Sequence, residues 1–271
     1  MSSLASQPQT IGRVLDDGFK FFKQTLLSIL PLSFLAVITP IAVIVSFVGG
    51  KTYLHLVSGQ LDPATTDFMA LMNSFIIGAI VAMILAVWFY AAIFYKMAAA
   101  AKGQTTGIGA SLTLGAKAAI PLLITAILYS LAVSVGIVLL IVPGIILMVS
   151  LMLYMPAYTM DNEGIFGCLK KSHNLVWGNW WRSLLIISIP AIILLVIYLG
   201  LGMFSGAIIA MGATSEGEFD IIQYQLLVEV AQYIINVFLA PLFPAFMIVL
   251  YNDLKLRKEG ADLDAKIAGT A

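Results

Sequence analysis

Residues 170–185 read KKSHNLVWGNWWRSLL and gather the side chains best suited to binding or chemistry. Three of the four tryptophans stand here, Trp177, Trp180 and Trp181, together with Lys170, Lys171, Arg182 and one of two histidines, His173. In water such a cluster would suit nucleic-acid binding or acid–base catalysis. Its flanks argue for lipid instead, with IVPGIILMVSLMLYMPAYTM before it and SLLIISIPAIILLVIYLGLGMF after it. Tryptophan settles at the headgroup level, where its ring is apolar and its N–H is wet. A Lys or Arg near an anionic leaflet gains about 1 kcal/mol. The stretch reads as an interfacial helix seated on anionic headgroups. A specific lipid-headgroup or protein-docking site is the sharper alternative.

A second constellation is Gln225, Glu229, Gln232 and Asn236, which share one helical face. Ionisable groups inside a membrane are costly and turn toward the bundle or water. Three readings stand: an amphipathic helix end emerging above the headgroups, a polar path lined by Glu229 and Asn236, or a polar helix–helix contact. Pro241 and Pro244 follow and should kink this helix.

Other polar groups carry less. Asp16 and Asp17 are helical neighbours, so they point about 100° apart and make no facing acid–base pair. Asp161 and Glu163 stand where a helix begins and suit its positive end. His55 and His173 fall on opposite sides of the membrane in the topology below, so they cannot share a metal. No H-E-x-x-H, C-x-x-C, G-x-S-x-G or P-loop occurs. The sequence offers no catalytic residue, metal ligand or cofactor site, and the single Cys168 can form no internal disulfide.

The elements that must position these groups follow from composition. The chain of 271 residues is 61% hydrophobic and 10% charged, with a mean hydropathy of +1.02. Soluble domains carry about 25% charged residues, so the solvent for most of this chain is lipid. The start, MSSLASQPQT, lacks the basic region of a removable signal peptide. A span needs roughly 20 apolar residues, and six candidates occur: Leu26–Val48, Phe75–Tyr95, Ala118–Val142, Gly144–Met160, Leu184–Met211 and Leu226–Leu250. The third and fourth together would make a helix of some 64 Å at ~1.5 Å per residue. The chain must therefore turn back, and Pro143-Gly144 is the expected place.

Alternating sides then place thirteen of fourteen basic residues on one face of the membrane and Lys51 alone on the other. Cytoplasmic loops carry the Lys/Arg excess, so both termini are expected in the cytoplasm. The outer loops hold Asp62, Asp67, Glu216, Glu218 and Asp220. Short amphipathic segments beginning at Ile11, Ile108 and Ile165 each lead into a span with a proline near its cytoplasmic end, Pro31, Pro121 or Pro190. Phe21-Phe22-Lys23 stands as far before Pro31 as Trp180-Trp181-Arg182 does before Pro190. The expected fold is all-α: six transmembrane helices in three hairpins, each preceded by a cytoplasmic interfacial helix. One membrane domain, 1–271, then divides into a tail (1–10), three units (11–103, 104–160, 161–251) and a C-terminal tail (252–271). Gly202 with Gly206, and Ser130 with Ser134, are spaced for close helix packing, more readily inside the bundle than between copies.

The run VPGIILMVSLMLYMPAYTMDNEGIFGCLKKSHNLVWGNWWRSL resembles the signature of the YciC-like family of bacterial inner-membrane proteins. It is also similar to the membrane domain attached to some glycerophosphoryl diester phosphodiesterases. The matching elements are Val142-Pro143-Gly144, a span ending at Pro156, an acidic residue before Gly164-Ile165, and a basic helix ending in Trp-Gly-Asn-Trp. IGRVLDDGFKFFKQTLLSIL resembles the start of such domains. The resemblance implies a six-span protein of the bacterial inner membrane. It implies no diesterase activity, because that chemistry belongs to a soluble barrel this sequence lacks.

The functional expectation is a non-enzymatic inner-membrane protein that supports or organises a lipid-related or envelope process. A transporter or channel for a lipid or small molecule is the alternative, and an intramembrane enzyme is a distant third. The expected partners are membrane lipids with anionic headgroups on the cytoplasmic face and a membrane protein, with no nucleic acid.

Overall fold

The computed structural model describes residues 4–57, 61–62, 66–214 and 221–269, and among these every regular element is a helix. In chain order they are α1 (Ile11–Val48), α2 (Gly50–Val57), α3 (Phe68–Ala101), α4 (Ile108–Leu139), α5 (Ile141–Leu151), α6 (Tyr154–Asp161), α7 (Ile165–Val176), α8 (Trp180–Thr214), α9 (Ile221–Leu239) and α10 (Leu242–Gly269). Among the described residues, six segments are long and apolar enough to cross a membrane: α1, α3, α4, α5 with α6, α8, and α9 with α10.

Two of the three expected interfacial helices are not separate elements. Residues from Ile11 and from Ile108 run unbroken into their spans as α1 and α4. No proline interrupts 11–26 or 108–118, so nothing stops the helix at the membrane surface. The third segment is separate. α7 ends at Trp177, and Gly178 adopts φ 88°, a conformation open to glycine at little cost.

The turn between the third and fourth spans lies at Leu140, three residues before the expected Pro143-Gly144. Leu140 is extended (φ −159°, ψ 132°) and its N–H still reaches the Gly136 carbonyl at 3.0 Å. Pro143 sits in the first turn of α5, where its missing N–H has no helical partner to lose. Gly144 serves close approach: a Cβ on Gly136 would lie 2.9 Å from the Gly144 Cα. The Gly202 and Gly206 spacing does not mark internal packing, since a Cβ on either would meet nothing within 4 Å, and Ser130 and Ser134 are exposed. Close packing falls instead at Gly115, whose Cβ would lie 2.8 Å from the Ala92 nitrogen and the Trp88 carbonyl oxygen.

α10 is the centre of the core. Phe246, Ile248, Leu250, Tyr251 and Leu254 are fully buried against Val14, Ile29, Leu32, Ile93 and Met97 of α1 and α3. Around it α1 packs on α3, α3 on α4, α4 on α5, and α8 on α9 and α10.

Two spans are broken inside the bundle, and each break is satisfied differently. The fourth parts at Met152-Leu153, between α5 and α6. Buried Ser172 of α7 enters the gap, accepting from the Leu153 N–H (3.0 Å) and donating to the Ser150 carbonyl (2.8 Å). Side chains of this kind restore backbone groups that lipid cannot. The sixth parts at Ala240-Pro241. The interruption falls where Pro241 and Pro244 lead one to expect a kink, because Pro241 has no N–H to continue the ladder.

Candidate functional site

The two breaks meet at one cavity. It holds about 580 Å³ and is walled by Met152 and Tyr154 at the first break and by Asn236, Ala240 and Pro244 at the second. Five tyrosines line it, Tyr90, Tyr129, Tyr154, Tyr198 and Tyr233, from five different helices. The rest is apolar, including Ala36, Phe94 and Leu194, and among the described residues no charged side chain lines it.

Three of the tyrosine hydroxyls are engaged. Tyr198 donates to Asn236 Oδ1 at 2.6 Å, Tyr129 to the Met148 carbonyl at 3.3 Å, and Tyr233 to Glu229 Oε2 at 3.3 Å. Tyr233 also lies 3.0 Å from the Tyr53 hydroxyl of α2. Of the expected polar stripe, Asn236 alone lines the cavity. Glu229 touches it through Tyr233, Gln232 is half-buried outside it, and the Gln225 side chain lies outside the described residues.

At the basic end two ion clusters tie α10 to its neighbours. Asp253, 3% exposed, accepts from Arg182 (Nη2 2.9 Å, Nε 3.0 Å), from Arg257 Nε (3.0 Å) and from the Gln9 N–H (2.8 Å). The Gln9 carbonyl takes further donors from Arg182 and Arg257. Beside it Asp161 binds Lys171 at 2.7 Å, Lys255 at 2.8 Å and the Tyr251 hydroxyl at 2.9 Å. Burial alone would lower the Lys171 pKa. The Asp161 hydrogen bond and the nearby charges of Asp161, Glu259 and Glu163 reverse this and raise it. Lys171 is therefore charged throughout the neutral range, and its stabilising share is lost only as pH rises past its raised value.

These clusters take in two residues of the basic–aromatic stretch. Lys171 and Arg182 are held by carboxylates of the protein rather than left for lipid phosphates. Asp161 does not cap α7, whose N-cap Gly164 has no side-chain cap. Lys170, Trp177 and Trp181 remain exposed. His173 stacks against Trp177 at 5.1 Å, and the Trp180 indole donates to the Ile146 carbonyl at 3.3 Å. Asp253 escaped notice because it sits in a charged run, NDLKLRKEG, that reads as a solvated tail. The cavity tyrosines escaped because they are scattered along the chain. The legible signal was the proline pair Pro241 and Pro244 in the sixth span; the break of the fourth span at Met152-Leu153 was not expected.

Cys168 is fully buried on α7, and burial pushes its thiol pKa up. The thiolate is the reactive form, so N-ethylmaleimide should leave the native protein unmodified over a time that suffices for full modification in SDS. Native labelling at the denatured rate would place Cys168 elsewhere.

Helices of this length and apolarity, six of them around a central cavity, define an all-helical multi-pass membrane protein. Residues 103–254 match a family described as a domain of unknown function, DUF7847. The match covers more than half of the chain, which belongs to that family. It begins just before α4 and ends within α10, so it takes in both helix breaks. Neither a curated protein nor a solved structure matches the chain.

Proposed function

We propose that this protein binds a lipid or small apolar molecule within its helix bundle and passes it on without reacting it. The cavity between two broken spans carries this reading. Discontinuous helices freeing backbone and side-chain polar groups around a shared pocket are a recurrent architecture of transport proteins. A volume of about 580 Å³ lies within the usual range of ligand pockets, roughly 300–1,000 Å³. The sharing of tyrosines among five helices lets a bound molecule bias how they pack.

In the same proposal the protein is a bacterial inner-membrane protein with both termini cytoplasmic, arranged as three hairpins with interfacial segments. The kinship with the YciC-like family belongs to this proposal too. Its cytoplasmic surface contacts anionic lipids through Lys170, Trp177 and Trp181, and nucleic acid has no part. A supporting or organising role, with a membrane-protein partner, rests on that surface, where Phe166, Trp177 and Trp181 are 73%, 57% and 72% exposed beside Lys170.

Native mass spectrometry of the protein released from lipid nanodiscs tests the proposal. The expected result is one lipid-sized adduct per chain that survives the delipidation that strips bulk lipid. A protein that emerges bare under those conditions would end this reading and leave the supporting role.

A further inference from the structure

Two tyrosines in the cavity differ from the other three. The hydroxyls of Tyr90 and Tyr154 make no hydrogen bond to any described residue, although both side chains line the cavity. They are not sealed away either: the sealed, unpartnered side-chain oxygens among the described residues are Ser33 Oγ and Ser150 Oγ. Leaving a phenol's donor unmet is costly inside a membrane. These two O–H groups are therefore donors awaiting an acceptor that enters the cavity.

The walls restrict that acceptor. With no Lys, Arg or His lining the cavity among the described residues, a phosphate or carboxylate held there would be an unpaired buried charge, which is strongly disfavoured. A neutral carbonyl or ester oxygen can accept from both phenols at no such cost. The cavity is also too small to enclose long acyl chains together with a polar head, so chains must leave it. Tyr233 belongs at once to the cavity and to a wholly apolar groove of about 390 Å³ between α1 and α9, bordered by Phe34, Ile38, Ile234 and Phe238. Chains leaving the cavity beside Tyr233 would enter this groove while the head sits among the tyrosines.

We propose that the cavity takes an uncharged, carbonyl-bearing lipid, its carbonyl held by Tyr90 and Tyr154 and its chains lying through the α1–α9 seam. This rests on the ligand-binding reading above and names the substrate class. The test uses two diazirine lipids with the same acyl chains, a diacylglycerol and a phosphatidic acid, in the full chain reconstituted in nanodiscs. Photolabelled peptides are then mapped by mass spectrometry. The diacylglycerol should label the segments around Met155 and Asn236 at least tenfold above the phosphatidic acid, while both label exposed Met203 of α8 alike.

The double variant Tyr90→Phe with Tyr154→Phe removes two oxygens that have no protein partner, so folding should be undisturbed. Cavity labelling by diacylglycerol should fall about tenfold, as expected for two hydrogen bonds lost. Equal cavity labelling by both lipids, or diacylglycerol labelling untouched in the double variant, would overturn the assigned class and leave the cavity as a ligand site. Labelling by neither lipid above the Met203 level would likewise overturn the assigned class, while the ligand-binding reading itself falls only if the protein emerges bare in the native mass spectrum.

Discussion

Asp253→Ala should leave little folded protein in the membrane. The Asp253 carboxylate is almost fully buried and is the anionic partner of both Arg182 and Arg257. Its removal strands two guanidinium groups and the Gln9 N–H. Removing one partner of a buried ion pair costs about 3–5 kcal/mol, a large share of the ~5–15 kcal/mol by which native proteins are stable. Asp253→Asn keeps the shape and one acceptor oxygen, so its loss should be smaller. Asp16→Ala, at an exposed carboxylate in α1, should match the parent. Thermal melts followed by fluorescence-detected size exclusion rank the three. An Asp253→Ala protein that melts with Asp16→Ala would mean that the cluster contributes nothing.

The second large effect is on ligand retention. Ala240 stands at the break of the sixth span and lines the cavity. A tryptophan there should project its indole into the space and exclude any other occupant. A larger side chain destabilises when it must push packed neighbours apart, and here the indole enters open space, so the melting temperature should hold or rise while the retained adduct disappears. Leu199→Trp, on an exposed face of α8, provides the matched control and should retain it. An Ala240→Trp protein that keeps its adduct would show that the molecule binds elsewhere.

The parts of this fold that were legible are those set by lipid. Six apolar segments of spanning length follow from composition alone, and the proline pair at 241 and 244 marked a true break. The local turn was less legible. Pro143 reads as a helix breaker, but a proline is also comfortable in a helix's first turn, and Leu140 took the extended conformation instead. The internal similarity of Phe21-Phe22-Lys23 and Trp180-Trp181-Arg182 does not extend to environment. Lys23 is exposed, whereas Arg182 is held by Asp253. That difference depends on a helix some 70 residues away, which no local pattern records. The cavity was illegible for the same reason. Each tyrosine alone is an ordinary membrane aromatic, and only the packing of five helices makes them a site.

The Asp253 cluster has a consequence for how the protein is made. Arg182 and its carboxylate are 71 residues apart in the chain, and Gln9 and Arg257 are 248 apart. At ~5–20 residues per second, Arg182 leaves the ribosome about 4–14 s before Asp253. During that interval its guanidinium has no internal counterion, and a headgroup phosphate beside the nascent α8 can hold the place. On the proposed anionic surface such a phosphate would be a temporary escort, released when α10 arrives and clasps the early and late parts of the chain together. A chain that stops before α10 leaves the faces of α1 and α3 that α10 covers without their partner and Arg182 without its carboxylate.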